Sequence, residues 1–596
     1  MPSPYPDTFG AAFGRMVKRK RAAAKLTQGQ LACALYPNLA EEEAEKRKGD
    51  ISKLENGRTH NPTTQTIQRI ADAVGISGGE IDALHRRVQM SASEQLDHIP
   101  VLDRDALELL ASRFDIPQPH AMTDAALQQE LTKRAEDYRR YKAEVDGIDE
   151  RYRSLSNLKA AAQDAINRID LPEVDRLLEL VHETELEEAA RTAELRADNA
   201  LLRGDPVRAA AILSSAADSF GAIDVAEPGK RKWQMAIKLQ EHGIRYGGQG
   251  LILCNEMCMS ALAVLNEKDN PRDVWATHTV RANALENQGT RTQGPEGTAL
   301  LAEAVDSHRA ALRVRTEADH PVDWAMTMQN LANALRTQGT RTQGPEGAAL
   351  LAEAVDSYRA ALRVFTEVDH SVYWGGTMQN LGNALANQGT RTQWPEGATL
   401  LGEAVGSFRA ALRVRTEAEH PVQWAMTMQN LGNALKEQGT RTQGPEGAAL
   451  LGEAVDSYRA ALRVFTEAEH PVYWAMTMQN LAIALQKQGT RTSGPEGAAL
   501  LGEAVDSYRA ALRVRTEAEH PVDWAITQEN MALAEMARAE HDTTADPRPH
   551  LEAALFHVEN ALRIYDPEHM SYDHGTATAL RNRIQAALDA LPSSSS

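Results

Sequence analysis

Tryptophans recur every 50 residues through the second half of the chain, at Trp324, Trp374, Trp424, Trp474 and Trp524, and the residues between them repeat almost unchanged. An imperfect earlier copy begins at Trp275, one residue short. A fixed period of this size marks a stacked array, because each unit is too small to bury its apolar face alone and buries it against its neighbours. That constraint makes the rest of the chain an attachment to the array.

Charge divides the chain in the same sense. Of 64 Lys and Arg and 83 Asp and Glu, residues 1–90 hold 14 and 10, leaving 50 and 73 for the remainder. A basic head on an acidic body points to a local nucleic-acid contact and excludes wholesale binding. Three cysteines, Cys33, Cys254 and Cys258, are too few for a disulfide framework. No apolar run reaches the roughly 18 residues a membrane span needs. The opening MPSPYPDTFG lacks the basic-then-apolar order of a secretory signal. The expected setting is cytoplasmic.

Within residues 1–90, Thr27-Gln28-Gly29-Gln30 has the form of a capping box, Asn56-Gly57 of a helix stop, and Asn61-Pro62-Thr63 of a helix start followed by Ile67, Ile70, Ala71 and Val74 at helical spacing. The ordered segments LTQGQLA, ISKLENGR, Asn61-Pro62 and IADAVGI resemble the lambda-repressor-like, XRE-type helix-turn-helix domain. That resemblance implies double-stranded DNA as a partner of residues 1–90. It makes Thr27 and Gln28 phosphate contacts, Lys48, Ser52 and Lys53 groove-facing residues, and places Asn56 and Arg58 near the backbone. The chemistry fits, since lysine donates to guanine acceptors or phosphate and helix N-termini suit anions. The segment YPNLAEEEAEKRKGD lengthens the turn beyond the family pattern, and Gly49 and Asp50 fall where base-reading side chains would stand. A helix-turn-helix turned protein-binding module is the alternative, with EEEAEKRK a solvated helix paired Glu42–Lys46 and Glu43–Arg47.

Residues 91–185 read as a helical connector. Leu127, Leu131, Tyr138, Tyr141, Val145, Ile148, Tyr152, Leu155 and Leu158 form an apolar seam, compatible with a hairpin broken near Gly147 or with a coiled coil that makes a homodimer. Residues 186–274 read as divergent helix pairs in which Cys254 and Cys258 are core, not metal ligands.

In residues 275–523 the unit places Met328, Leu331, Ala332, Ala334, Leu335 and Gly339, then Ala354, Tyr358 and Ala361, in the pattern of a tetratricopeptide repeat, which the array resembles at 50 residues in place of about 34. The additions are expected in the loop GTRTQGPEG and the turn EVDHSVYW. The resemblance implies antiparallel helix pairs and a concave face lined by the first helix, here Met326, Gln329, Asn330 and Asn333. Asparagines then form two files, Asn330, Asn380, Asn430, Asn480 and Asn530 beside Asn283, Asn333, Asn383 and Asn433. Amides carry donors and an acceptor, so such a file can pair with the backbone of a peptide or protein partner. The alternative is that they bond neighbouring helices.

Other ladders read as structural. His320, His420, His470 and His520 precede a proline at a helix start. Arg291, Arg341, Arg391, Arg441 and Arg491 are expected to pair with Glu296, Glu346, Glu396, Glu446 and Glu496. The residues before the inter-repeat turn alternate Arg315, Phe365, Arg415, Phe465, Arg515, and those eight later read Asp323, Tyr373, Gln423, Tyr473, Asp523, which predicts side-chain contact across the turn. Trp394 replaces the loop glycine in one copy. Residues 524–596 are a degenerate capping repeat and a tail.

The expected whole is all-α: a helix-turn-helix domain, a helical or coiled connector, and a C-terminal tetratricopeptide-like solenoid. No HExxH, GxSxG or phosphate-loop motif is present, so no enzyme and no cofactor is expected. The function implied is a DNA-binding regulator whose array senses a peptide or protein; the alternative is a scaffold that recruits partners in signalling or phage defence, with the head serving localisation or protein contact.

Overall fold

The computed structural model describes residues 9–36, 47–56, 63–81, 84, 96–146, 148–167 and 171–591. Among them every regular element is helical, and the chain divides into two compact units, Met1–Leu265 and Asn266–Ser596. Among the described residues no helix is long and apolar enough to cross a membrane.

The first unit opens with short helices Phe9–Ala23, Gln28–Leu35, Lys48–Glu55 and Thr64–Val74. Phe13, Val17, Leu31, Ala32, Ile51, Leu54 and Ile70 from all four close one core. The punctuation is as the residues dictate. Thr27 Oγ1 accepts from the Gln30 amide at 3.1 Å while Gln30 Oε1 accepts from the Thr27 amide at 2.8 Å, completing the capping box. Thr63 caps the last of these helices and Gly75 ends it at φ 72°, a conformation that costs glycine nothing. Glu42, Lys46, Arg58, Asn61 and Pro62 lie outside the described residues.

Beyond the head, helices Arg104–Arg113, Asp124–Asp146 and Ile148–Asn167 precede two pairs, Leu171–Leu202 with Pro206–Asp218 and Glu227–Tyr246 with Gly250–Leu262. Leu127 and Leu131 of the predicted seam are fully buried against Leu107, Leu110 and Phe114, so that stretch is spent within the chain. Gly147 is outside the described residues, between two helices that end and begin on either side of it. Cys254 and Cys258 are fully buried. Among the described residues no group of His, Cys, Asp and Glu is placed to hold a metal.

The second unit is a run of helix pairs. In the copy that opens at Trp324, the first helix spans Pro321–Arg341 and the second Gly344–Ala361, and the following copies keep this register. For brevity these are helix A and helix B. The expected long loop does not exist: Gly339 to Arg341 finish helix A, Gly344 to Gly347 start helix B, and Thr342-Gln343 alone connect them. The extra residues lengthen the helices instead. The cause is local. Pro345 and Glu346 suit a helix N-terminus, and Gly347 has no Cβ to collide with the Thr342 carbonyl, which would lie 2.0 Å away. Where Trp394 replaces the glycine that takes φ near 70° in its neighbours, helix B starts later, at Glu396.

Leu331, Ala334, Leu335, Ala354, Val355 and Tyr358, with their equivalents, form a continuous core from copy to copy. Each A helix also touches the next A helix. Histidines stand at the N-caps of the A helices, their carbonyls accepting from the marker tryptophans, as His320 from Trp324 at 2.9 Å. Arginines lie over those indoles: Arg363 over Trp324 at 5.4 Å and Arg463 over Trp424 at 5.0 Å. The same arginines pair with a glutamate of the preceding turn, Arg363 with Glu317 and Arg463 with Glu417, both at 2.7 Å.

Arg341, Arg391, Arg441 and Arg491 do something other than pair with the loop glutamates, which are exposed. Arg341 donates from Nη1 to the carbonyls of Gly289 at 2.6 Å and Thr292 at 3.0 Å, and from Nη2 to that of Thr290 at 2.5 Å. Arg391, Arg441 and Arg491 repeat this on the copy before each. The last turn of a helix leaves carbonyls without intrahelical donors, and a planar guanidinium reaches several at once. In the capping copy His541 Nε2 meets the Thr492 carbonyl at 3.1 Å and Asp542 accepts from the Gly494 amide at 3.1 Å, replacing the arginine.

Candidate partner-binding face

Helix A carries two kinds of polar side chain. Thr327, Thr377, Thr427, Thr477 and Thr527 are buried. The hydroxyls of Thr377, Thr427 and Thr477 donate backward to the preceding copy, to Gln329 Oε1 at 2.8 Å, Gln379 at 2.7 Å and Gln429 at 3.0 Å, while that of Thr327 accepts from Trp275 Nε1 at 3.0 Å. Gln329 is therefore turned toward the next copy, holding two repeats together.

Asn333 is also tied inward. Its Oδ1 accepts from the Tyr358 hydroxyl at 2.5 Å and from Asn380 Nδ2 at 3.3 Å, and Asn433 accepts from Tyr458 at 2.7 Å. The tyrosines are fully buried, so each phenol needs such a partner, and burial raises their pKa. Other copies vary the pair: Phe408 faces the copy of Asn383, Ile483 leaves Tyr508 to donate to Gln486 at 3.3 Å, and His308 occupies the tyrosine position beside the copy of Asn283. His308 is wholly enclosed and burial pushes its pKa down to about 3, so it stays neutral.

The remaining residues of the face are half-exposed: Asn330, Asn380, Asn430, Asn480 and Asn530, with Asn283, Asn333, Asn383 and Asn433 one turn on. Met326 and Ile526 are exposed beside them. Val322, Val372, Val472 and Val522 continue the apolar edge, Val372 at 66 % exposure. Each A helix thus offers a strip that is apolar at its start and amide-rich at its centre.

The predicted turn contacts form in four of five copies. Phe365 stacks on Tyr373 and Phe465 on Tyr473, with centroids 5.1 and 5.0 Å apart. Arg315 pairs with Asp323, and Arg515 lies 3.9 Å from Asp523. Arg415 donates to Gln379 Oε1, as Arg515 does to Gln479 Oε1, but has the neutral Gln423 where Arg515 has Asp523.

In the head, Lys48 and Lys53 are exposed and Ser52 half-buried on Lys48–Glu55. Lys53 Nζ lies 3.7 Å from Asp50, and Asn56 Nδ2 donates to the Ser52 carbonyl at 2.8 Å. Gln28 Nε2 donates to Glu55 at 2.6 Å, alongside Arg21 Nε at 2.6 Å, so its amide is committed to a buried carboxylate. Thr27 is exposed at its helix start.

Residue spacing gave no sign of a cleft of about 570 Å³ in the first unit, lined by Asp137, Asp198, Lys238, His242 and Tyr246 among others. Several of its polar groups are already engaged. Tyr246 donates to Asp137 at 2.5 Å, Lys238 to Asp198 at 2.9 Å, and Arg134 lies 3.9 Å over the Tyr246 ring. Burial, with Arg134 nearby, lowers the pKa of His242 to about 4.

The second unit is a helical tandem repeat. No family model matches the chain, and no curated protein matches it. Solved structures that it matches include a circular tandem repeat protein with novel repeat topology and enhanced subunit contact surfaces, at 13% identity over 74% of this chain and 99% of that one, with a TM-score of 0.24. Another is the Cut9–Hcn1 hetero-tetramer of APC/C, at 13% identity over 84% of this chain and 98% of that one, with a TM-score of 0.20.

Proposed function

We propose that the protein is a repeat-built scaffold whose A-helix face holds a peptide or protein partner. The observation that carries this reading is the separation of roles on helix A. Thr327 and Gln329 positions are consumed in joining copies, while side chains at the Met326 and Asn330 positions stay partly exposed along the array. A file of half-exposed amides beside an apolar edge suits a partner's backbone and its apolar side chains. The test is capture from native lysate by the full chain and by Asn380→Ala/Asn430→Ala, with helicity followed by circular dichroism. A drop of at least about tenfold in the captured species, at unchanged helicity, is expected of contacts at the centre of an interface. Equal capture by both chains would sink the proposal.

DNA binding by the head is the second reading. Its support is the resemblance of residues 26–76 to the XRE-type domain together with the exposure of Lys48 and Lys53. Asp50 beside Lys53 weighs against base reading, and the engagement of Gln28 by Glu55 weighs against its phosphate contact. Retardation of a duplex fragment at two salt concentrations, by the full chain and by Lys48→Ala/Lys53→Ala, decides it: phosphate contacts weaken with salt and with loss of the lysines.

A further inference from the structure

The copy spanning residues 371–420 departs from its neighbours at one place on the binding face. Where the others carry an alanine and then Met326, Met426, Met476 or Ile526, it carries Gly375-Gly376. Gly375 lets helix B come close, since a Cβ there would lie 2.5 Å from Val414 Cγ2. Gly376 leaves a notch on the open face, and a Cβ built on it would lie 3.1 Å from Arg415 Nη2. The guanidinium of Arg415 therefore borders the missing side chain.

Arg415 is also the arginine of its series without a counter-charge. Arg315 has Asp323 and Arg515 has Asp523, whereas the residue eight after Arg415 is Gln423. Among the described residues no carboxylate lies within ion-pair distance of Arg415, and its polar partner is the neutral oxygen of Gln379, which also serves Thr427. Arg413, two residues earlier, is already committed to Glu367 at 2.7 Å and to the Trp374 ring at 5.2 Å. Half-burying a cation without an anion is costly, and the cost is recovered when an anion arrives in the right place.

We propose that Arg415 and the Gly376 notch form a carboxylate-binding site that takes one aspartate or glutamate side chain of the partner peptide. The proposal rests on the scaffold reading above and gives its face a specific position. The flanking groups define the rest of the partner: Met326 and Met426 border the notch along the array, and Val372 and Tyr373 stand exposed at its edge. The acid is thus flanked by apolar residues. A polyacidic segment is disfavoured, since the chain's net charge is −19.

The test uses a bead library of N-acetylated, C-amidated dodecapeptides, whose only carboxylates are Asp and Glu side chains. It is selected on the full chain and on Arg415→Gln, Gln423→Asp and Gly376→Met. Gln423→Asp supplies the internal carboxylate present at 323 and 523, and Gly376→Met restores the neighbours' side chain. The expected result is enrichment of one acidic position among apolar residues on the natural chain. Replacing that acid by its amide should weaken binding at least about tenfold, and each of the three variants should lose the acid preference while remaining helical. Enriched peptides with no acidic position, or an acid preference that survives in Arg415→Gln, would overturn the carboxylate site and leave the scaffold reading standing. No enrichment on the natural chain would overturn both.

Discussion

Phe365 stacks on Tyr373 across the inter-repeat turn, with ring centroids 5.1 Å apart and planes 18° apart, in the place where the copies on either side put an arginine. The partner residue changes with it, so the turn has two interchangeable solutions, one aromatic and one polar. Phe365 is fully buried, which makes an isolated exchange costly. Phe365→Arg alone should destabilise by about 2–4 kcal/mol through an unpaired buried charge, and Phe365→Arg/Tyr373→Asp should recover at least about 1 kcal/mol of that. Urea unfolding of the four chains of the cycle measures the coupling. A coupling near zero would mean that the alternation reflects duplication of a two-copy block and not contact.

Tyr358 and Phe408 occupy the same position in successive copies, and only the first has a hydroxyl to give to its asparagine. Tyr358→Phe should cost about 0.5–1.5 kcal/mol, the net worth of one hydrogen bond. The reverse exchange, Phe408→Tyr, should give a gain of similar size, as Asn383 stands where Asn333 and Asn433 accept. Thermal unfolding of both variants tests this, and a destabilising Phe408→Tyr would show that the Asn383 copy has no room for the oxygen.

Arg391 donates to three carbonyls of the preceding copy, Gly339, Thr340 and Thr342, at 2.6, 2.5 and 3.1 Å. Arg391→Ala should cost about 1–3 kcal/mol, with water replacing part of what is lost. Arg391→Lys should recover little, because a single ammonium lacks the planar fork. Hydrogen exchange of the amides around Gly339 to Thr342 is the direct readout. It should accelerate there more than in distant copies, since repeat arrays lose structure locally.

Glu286 is held protonated further up the pH scale than an ordinary carboxylic acid. Burial raises its pKa from 4.5 to about 7, with Arg336 opposing the rise. The folded chain then binds a proton that the unfolded chain releases. The resulting stability is fully present below about pH 4.5 and is lost as pH rises through 7. Glu286→Gln should therefore match the natural chain at pH 4.5 and exceed it at pH 8, by up to about 3 kcal/mol. Unfolding of both chains at the two pH values checks the sign; a glutamine chain that is less stable at pH 8 would show that Arg336 pairs with the ionised acid.

Much of the array was legible because the copies report on each other. The period, the inter-repeat core, the histidines at helix starts and the turn pairs all follow from comparing residues 50 apart. The loop was misjudged for a physical reason: a cluster of glycine, proline and threonine signals a break, but Gly339 and Gly347 are there for the close approach of two helices, and their neighbours stay helical. The role of the loop arginines was equally hidden. Their acceptors are main-chain carbonyls, which leave no trace in a side-chain pattern. Gln329 and Asn333 look alike in sequence as groove residues, and only the positions of Thr377 and Tyr358 show where their oxygens are used.

The arginine links run in one direction. Each unit's arginine closes the A-helix end of the unit before it, adding to the single bond that a unit's own threonine makes there, as Thr342 Oγ1 donates to the Gln338 carbonyl at 2.9 Å. During synthesis from the N-terminus, every helix pair must therefore wait for about fifty further residues before its last turn is sealed. The array tightens behind the growing chain until His541 and Asp542 of the capping copy seal the repeat before it. Deletions from the two ends are consequently unequal. Removing copies from the front of the array leaves every remaining end sealed, whereas cutting from the back always exposes one, whichever copy is made last.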